Sequence, residues 1–427
     1  MTFVPLGEVP EAILSIARPI HGEQDLDELA DILASKRLVL LGEASHGTHE
    51  FYDLRAALTR RLVAHHGFSA VCIEADWPDA LRVDRYLRNI SDDEDAVAAL
   101  SGFERFPRWM WRNHEIVELV EWLYDHGGCG FYGLDLYALH TSIHAVLQYL
   151  DENDAAAAGR ARARFAQIYG TEGFLGIGPR CEAEVVAQLV EMHQRKIARS
   201  GRSPAGDAWF HAVQQAHVIR DAEAYYRAMV GGRTAAWSLR ETHMADTLDL
   251  VANHLGDGAP AKLIVWAHNS HIGDARATEM GDAGQLSLGQ LVRQRHPYES
   301  IHVGFTTYEG NVISAEDWDQ PPHRERVRAG LPGSWEELFH AAECPRFYVT
   351  AAAMKRVVGE RAERLQRAIG VVYRPETERR SHYLHARLAD EFDLVVHVDT
   401  TRGVDPLDHI EPPAPPLEPE TIPSVTH

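Results

Sequence analysis

Three observations predict an α/β fold: a mainly parallel central sheet flanked by helices, with an all-helical insertion capping the carboxyl edge of the strands. Short apolar runs of strand length recur along the chain, continuous rather than alternating, as in strands buried on both faces. Stretches with apolar residues at helical spacing separate them. Each of the first four runs ends at a titratable side chain, on the side where ligand sites lie in open α/β sheets.

Residues 1–36 read as a helical lead-in, with Leu14 to Ile20 and Leu26 to Leu33 apolar. The first run, Leu38 to Leu41, passes into Gly42 and Glu43, and His46 follows three residues later. Phe51, Leu54, Leu58 and Leu62 then mark one face of a helix. An acid and an imidazole at this spacing, beside the positive end of that helix, can share one pocket. Phe68 to Glu74 is the second run. Asp76-Trp-Pro-Asp79 opens the next helix, with Asp76 suited to its N-cap, Pro78 to its first turn and Asp79 to the capping-box position. Phe106 to Asn113 is dense in arginine and aromatic residues, and Gly130 to Asp135 is a third strand ending in an acid.

Residues 151–235 change character, with amphipathic helices expected over Asp154–Tyr169, Cys181–Ala198 and Ala205–Met229. His211, Gln215, His217 and Tyr225 could line a pocket there, and packing is the simpler reading for each. A helix over Trp237–Leu255 begins near Arg240, Glu241 and His243, and the fourth run, Ala261 to Ala267, leads directly into His268-Asn-Ser-His271. Later strands are expected at Ile301–Thr306, Arg346–Val349, Ala368–Tyr373 and Phe392–Val398. The expected division is a first α/β half over 1–150 with Glu43, His46 and Glu74, a helical insertion or cap over 151–235, a second α/β half over 236–411 with His268 and His271, and a Pro-rich tail over 412–427.

Composition narrows the function classes. The 427 residues are 45% hydrophobic and 25% charged, an ordinary globular balance, with a net charge of −21. That charge argues against general binding to nucleic acid or an anionic membrane, since both need a basic face. Four cysteines form no C-x-x-C pair. Met1 to Pro10 lacks the basic start and apolar core of a signal peptide, and no apolar run approaches spanning length, so a cytoplasmic location is expected. The 25 histidines are too numerous for their count alone to argue for a metal.

Glu43 with His46, Glu74, Asp135, and His268 with His271 would meet at one edge of a parallel sheet. No Gly-x-Ser-x-Gly elbow, dinucleotide fingerprint or phosphate loop accompanies them. Two readings of the cluster remain open. A histidine held by a carboxylate can take a proton from water while arginines hold the developing oxyanion. Alternatively Glu43, His46, Glu74 and His268, or His271 in its place, could bind a divalent metal, since two imidazoles and two carboxylates suit Zn, Mn or Fe. Arg108 and Arg112 could clamp a substrate carboxylate or sugar with Trp109 and Trp111 stacking on it, or serve equally as a helix entry with packed tryptophans.

Gly42-Glu-Ala-Ser-His-Gly-Thr48 followed by Glu50 and Arg55, Ile73-Glu-Ala-Asp76, Trp109-Met-Trp-Arg-Asn113, Gly133-Leu-Asp135 and Trp266-Ala-His-Asn-Ser-His271 together resemble the erythromycin esterase family over residues 25–410. Arg374 to Arg379 and Ser381 to Tyr383 look typical of its broad bacterial, succinoglycan-biosynthesis-like branch. The resemblance implies hydrolysis of a carboxylic ester, a macrocyclic lactone in the resistance enzymes, with His46 as general base and Glu43 and Glu74 orienting it or the water. It adds Arg55 and His268 to the pocket, with His271 nearby. Asp135, Trp109 and Arg112 complete the expected substrate-binding set. No cofactor is required on this reading. The metal-dependent hydrolase and a ligand-binding accessory protein without turnover are the competing readings, separated by metal content and by the behaviour of a His46→Ala variant.

Overall fold

The structure, a computed structural model, describes residues 9–169, 179–194, 204–256 and 258–409. The Pro-rich tail expected over 412–427, the first eight residues and the end of the helix expected to reach Ala198 lie outside the described residues.

In chain order the strands are β1 (Arg18–Pro19), β2 (Leu38–Leu41), β3 (Ala70–Asp76), β4 (Gly130–Asp135), β5 (Leu263–Trp266), β6 (Ser300–Ser314), β7 (His323–Val327), β8 (Arg346–Thr350), β9 (Arg364–Arg367), β10 (Tyr383–Ala386) and β11 (Leu394–Thr401). Nine of them form one sheet in the order β1-β8-β11-β6-β2-β5-β3-β4, with β7 paired to β6. From β11 to β4 every neighbouring pair is parallel, while β8, β1 and β7 join antiparallel. β9 and β10 form a separate antiparallel pair.

Alternation along the strands divides the core between the two faces of the sheet. Val39, Leu41, Val71, Ile73, Ile264 and Trp266 enter one apolar cluster. Leu38, Leu40, Ala70, Cys72, Leu263 and Val265 enter the other. Both faces are covered by helices, so these runs read as continuously apolar. A third cluster, with Ile143, Val146, Phe165, Leu189, Val213 and Ile219, belongs to the helices between β4 and β5. They pack on one another, and the layer already includes helix Leu139–Asn153, ahead of the compositional change at residue 151. His211, packed against Trp77 and Tyr132, and Gln215 are buried and lie outside the central pocket described below.

Parallel register sets the site. Leu41 pairs with Trp266 and Val303, and Ile73 pairs with Trp266. The residues after these partners therefore leave the sheet at one level, carrying Glu43, Glu74 and His268 together. Two glycines let the loop after β2 turn there. A Cβ at Gly42 would stand 2.2 Å from Asn269 Oδ1, and Gly47 adopts φ +69° with its would-be Cβ 2.5 Å from the Ile313 carbonyl. Helix His49–His66 then runs back and stops at Gly67, whose left-handed φ of 70° suits a residue without Cβ.

One expected strand is absent. Ala368–Tyr373 makes only single bridges, Ile369 to Ser45 and Val372 to Ala315. Its apolar residues are consumed in crossing the carboxyl edge of the sheet rather than in joining its ladder.

Candidate active site

Each strand end delivers its side chain to a cavity of about 390 Å³. Its walls include His46, Glu74, Asp76, Asp79, Asp135, His268 and His271, with Arg105 and Arg240 between them. Phe103, Phe106, Trp111, Tyr137, Trp237 and Trp318 supply an aromatic wall.

At the floor, Arg55 donates from Nη2 to Glu43 Oε2 at 2.8 Å, and Glu43 Oε1 stands 2.8 Å from His46 Nδ1. Arg55 is fully buried, with its guanidinium 4.5 Å from the ring centres of both Tyr52 and Trp266. It lies beneath the pocket. A charge held this way keeps Glu43 an acceptor, so His46 Nδ1 carries the proton and its Nε2 lone pair faces the cavity.

His268 stands beside it, ring centre to ring centre 4.9 Å. The Ser270 N–H donates to His268 Nδ1 at 3.2 Å, and Ser270 Oγ lies 2.8 Å from the same nitrogen. With Nδ1 accepting, the proton belongs on Nε2, a buried nitrogen on the side of the Ala44 carbonyl. Burial, then the neighbouring His46, pushes the His268 pKa down to about 3, so the ring is neutral at ordinary pH.

His271 is bound differently. Its Nδ1 lies 2.6 Å from Glu241 Oε1 and its Nε2 3.0 Å from Glu74 Oε1. Burial works against its charge, but Glu241 and Glu74 outweigh it and raise the pKa to about 9. Glu74 stays ionised despite burial because His271, His46 and Arg240 surround it. Its other oxygen accepts the His268 backbone N–H at 2.9 Å. Arg240 clamps Asp135 with two bonds, 2.9 and 2.6 Å, and reaches Glu74 at 2.9 Å.

Asp76 occupies the N-cap position of helix Trp77–Leu87, yet its side chain makes no cap bond. It accepts instead from the Tyr137 N–H at 2.8 Å and from Arg105 at 3.1 Å, facing the pocket. Burial raises its pKa to about 6, and burial together with Asp76 raises Asp79 to about 7.

Trp109 and Arg112, grouped by sequence with the substrate-binding residues, are placed outside the cavity. Trp109 is buried edge-on against Phe106. Arg112 forms a two-bond pair with Asp408 at 3.0 and 2.8 Å. The same motif does reach the cavity through Phe106, Met110 and Trp111, and Phe103 and Arg105 just before it join them. His382 is occupied in accepting the Arg374 N–H at 3.1 Å.

In the sequence Arg240, Glu241 and Trp237 mark only a helix start. Trp237 stacks on His271 at 4.7 Å, and Arg240 and Glu241 neutralise the buried charges below it. The available signal was their spacing: one, four and five along a helix puts all three on one face, and an arginine–glutamate pair on an otherwise buried face needs partners.

The donor set fits a divalent metal poorly. Both oxygens of Glu43 and both of Glu74 already bind cations or N–H groups, which leaves two imidazole nitrogens, one of them protonated. No group of three or more His, Cys, Asp or Glu among the described residues converges as a metal site.

Comparison with known proteins gives a consistent family. The sequence model described as erythromycin esterase matches residues 63–401. The putative hydrolase YbfO of Bacillus subtilis (strain 168) is 20% identical over 352 residues, covering 76% of each chain. Erythromycin esterase type II of Escherichia coli is 21% identical over 323 residues, 69% of this chain and 75% of its own. A solved structure of a mutant of the erythromycin esterase EreC in its open conformation superposes with a TM-score of 0.65 at 16% identity, covering 94% of this chain and 98% of that one, and so shares the fold.

Proposed function

Because the chain belongs to the erythromycin esterase family, we propose that it is a hydrolase cleaving a carboxylic ester by activation of water at His46. The observation that carries this reading is the chain Arg55–Glu43–His46, which leaves one basic nitrogen aimed into an aromatic cavity. His46 Nε2 takes a proton from water as the oxygen attacks the ester carbonyl. Glu43 steadies the imidazolium that forms, and Arg55 holds Glu43 in place. The neutral His268 offers its Nε2–H to the tetrahedral oxyanion. His46 then returns the proton to the leaving alkoxide, giving acid and alcohol. Arg240, Glu74 and His271 set the position of the His268 backbone and the shape of the cavity.

The aromatic wall suits a bulky, largely apolar ester, and a macrocyclic lactone is the substrate class proposed. The test pairs metal-stripped wild type with His46→Ala against macrolactones and simple chromogenic esters, detecting added water by mass. Turnover by wild type alone supports the reading. Turnover that appears only after metal is restored overturns the water-activation scheme. Ligand-induced stabilisation without product by either protein overturns the enzyme reading in favour of a binding protein.

A further inference from the structure

Behind Ser270 lies a second, much smaller cavity of about 10 Å³. Ser270, Met280, Ala368 and Leu384 line both it and the main pocket, so it is an annex of that pocket. Gln366 and Glu391 form its inner wall, exposed by only 2% and 3%. Two of their atoms, Gln366 Oε1 and Glu391 Oε2, have no hydrogen-bond partner among the described residues. The backbone is shaped around this carboxyl group: a Cβ at Gly273 would stand 2.4 Å from Glu391 Oε1. Buried polar atoms are rarely left unpaired, and a void of roughly 10–15 Å³ with two to four polar partners is the size and chemistry of one bound water.

We infer that the annex binds a single ordered water, which joins Glu391 and Gln366 to the Ser270 hydroxyl and thereby directs that hydroxyl toward His268 Nδ1. The hydrogen count closes. Burial raises the Glu391 pKa well above the usual carboxyl range, so this group keeps its proton and donates it to the water. The water donates its two hydrogens, one to Gln366 Oε1 and one to Ser270 Oγ. Ser270 Oγ, now accepting from the annex, has its own hydrogen left for His268 Nδ1, 2.8 Å away. An ionised Glu391 would reverse this order, because the water would donate to both annex acceptors and draw the serine hydrogen away from His268. Glu391, Gln366 and the Ser270 hydroxyl are thus positioning residues that reinforce the Nε2–H tautomer favoured by the Ser270 backbone N–H.

The catalytic consequence rests on the reading of His268 as oxyanion donor, whereas the water site and the tautomer do not. The test is therefore run on both. The full chain is labelled with nitrogen-15 histidine, and the His268 ring signals are followed at neutral pH in wild type, Glu391→Gln, Glu391→Leu and Gly273→Ala. Hydrolysis by the same proteins is measured alongside. The expected result is a single Nε2–H tautomer in wild type and in Glu391→Gln, whose amide still supplies a donor. Glu391→Leu and Gly273→Ala, the second displacing the carboxyl rather than removing it, should give mixed tautomers. In them kcat should fall about tenfold with KM held within about twofold, the lower end of what loss of an outer partner costs. An unchanged tautomer in whichever of these two variants folds overturns the inference, as does a high-resolution crystal structure with no density in the annex. A tautomer that shifts as expected in a protein that hydrolyses no ester upholds the relay and overturns the esterase reading alone.

Discussion

Two imidazoles at the carboxyl edge of neighbouring strands, His46 after β2 and His271 after β5, show how similar residues acquire different work. His46 has one carboxylate partner, Glu43, and one nitrogen left over. His271 has two, Glu241 and Glu74, and none left over. Both are almost fully buried, so exposure does not separate them. The difference is the count of acids around each ring. One carboxylate orients an imidazole and leaves it able to exchange a proton. Two carboxylates turn it into a fixed cation whose charge is spent on holding Glu74 and Glu241 in a low-dielectric interior.

The sharpest way to break this comparison is to remove each ring in turn. His46→Ala should lower ester turnover by roughly 10²–10⁴, the range for a lost general base, with thermal stability little changed. His271→Gln should act chiefly on stability, costing about 3–5 kcal/mol in denaturant unfolding because two buried carboxylates lose their cation. If both variants lose turnover and neither loses stability, the contrast drawn here is wrong.

Glu43→Gln asks whether orientation of the free nitrogen is what matters. An amide can hold the ring by its carbonyl or present the wrong group to it, and it cannot stabilise the imidazolium. Hydrolysis should fall by about 10²-fold or more with KM nearly constant, in line with such changes in other His–acid pairs. Equal turnover in wild type and Glu43→Gln would reduce Glu43 to a packing role.

The titration of His271 gives a third test. Its folded pKa of about 9 lies above the model-peptide value of 6.5. The stabilisation from this pair is therefore complete below the unfolded value and is lost as pH rises through the folded one. Unfolding free energy should decline by on the order of 2–3 kcal/mol between those two pH values, and His271→Gln should flatten that slope. An unchanged slope in the variant would mean that the decline arises elsewhere.

The smallest effect is expected at Arg112. Its pair with Asp408 is partly exposed and distant from the cavity wall, so Arg112→Ala should cost no more than about 1 kcal/mol and leave KM within about twofold. A large rise in KM would return Arg112 to the substrate-binding set.

How much of this was legible in the chain can be judged from particular residues. The strands β2, β3, β4 and β5 were readable because a strand buried on both faces has little choice but Leu, Ile, Val and their like. Helix stops such as Gly67 were equally local. The convergence of Glu43, Glu74 and His268 followed from a parallel register, since aligned strands release their next residues at one level. The 368–373 segment has the pattern of a strand without being one, because an apolar run crossing the end of a sheet looks the same as one inside it. Asp76 was read as a helix cap because cap positions are defined by backbone spacing, whereas the direction of its carboxylate depends on Arg105 and on the Tyr137 N–H.

Sequence by itself determined the α/β order, the strand ends that carry acids and imidazoles, and the Glu43–His46 pair, all of which depend on contacts within a few residues or on the period of burial. Only the tertiary structure decided which histidine keeps a free nitrogen and which has none, that Arg240 and Glu241 neutralise the floor of the pocket, and that Trp109 and Arg112 lie outside it. Several of those partnerships join groups far apart along the chain, such as Arg240 with Asp135 and Arg112 with Asp408. Charge pairing across such separations is set by packing in space, and no local pattern of residues encodes it.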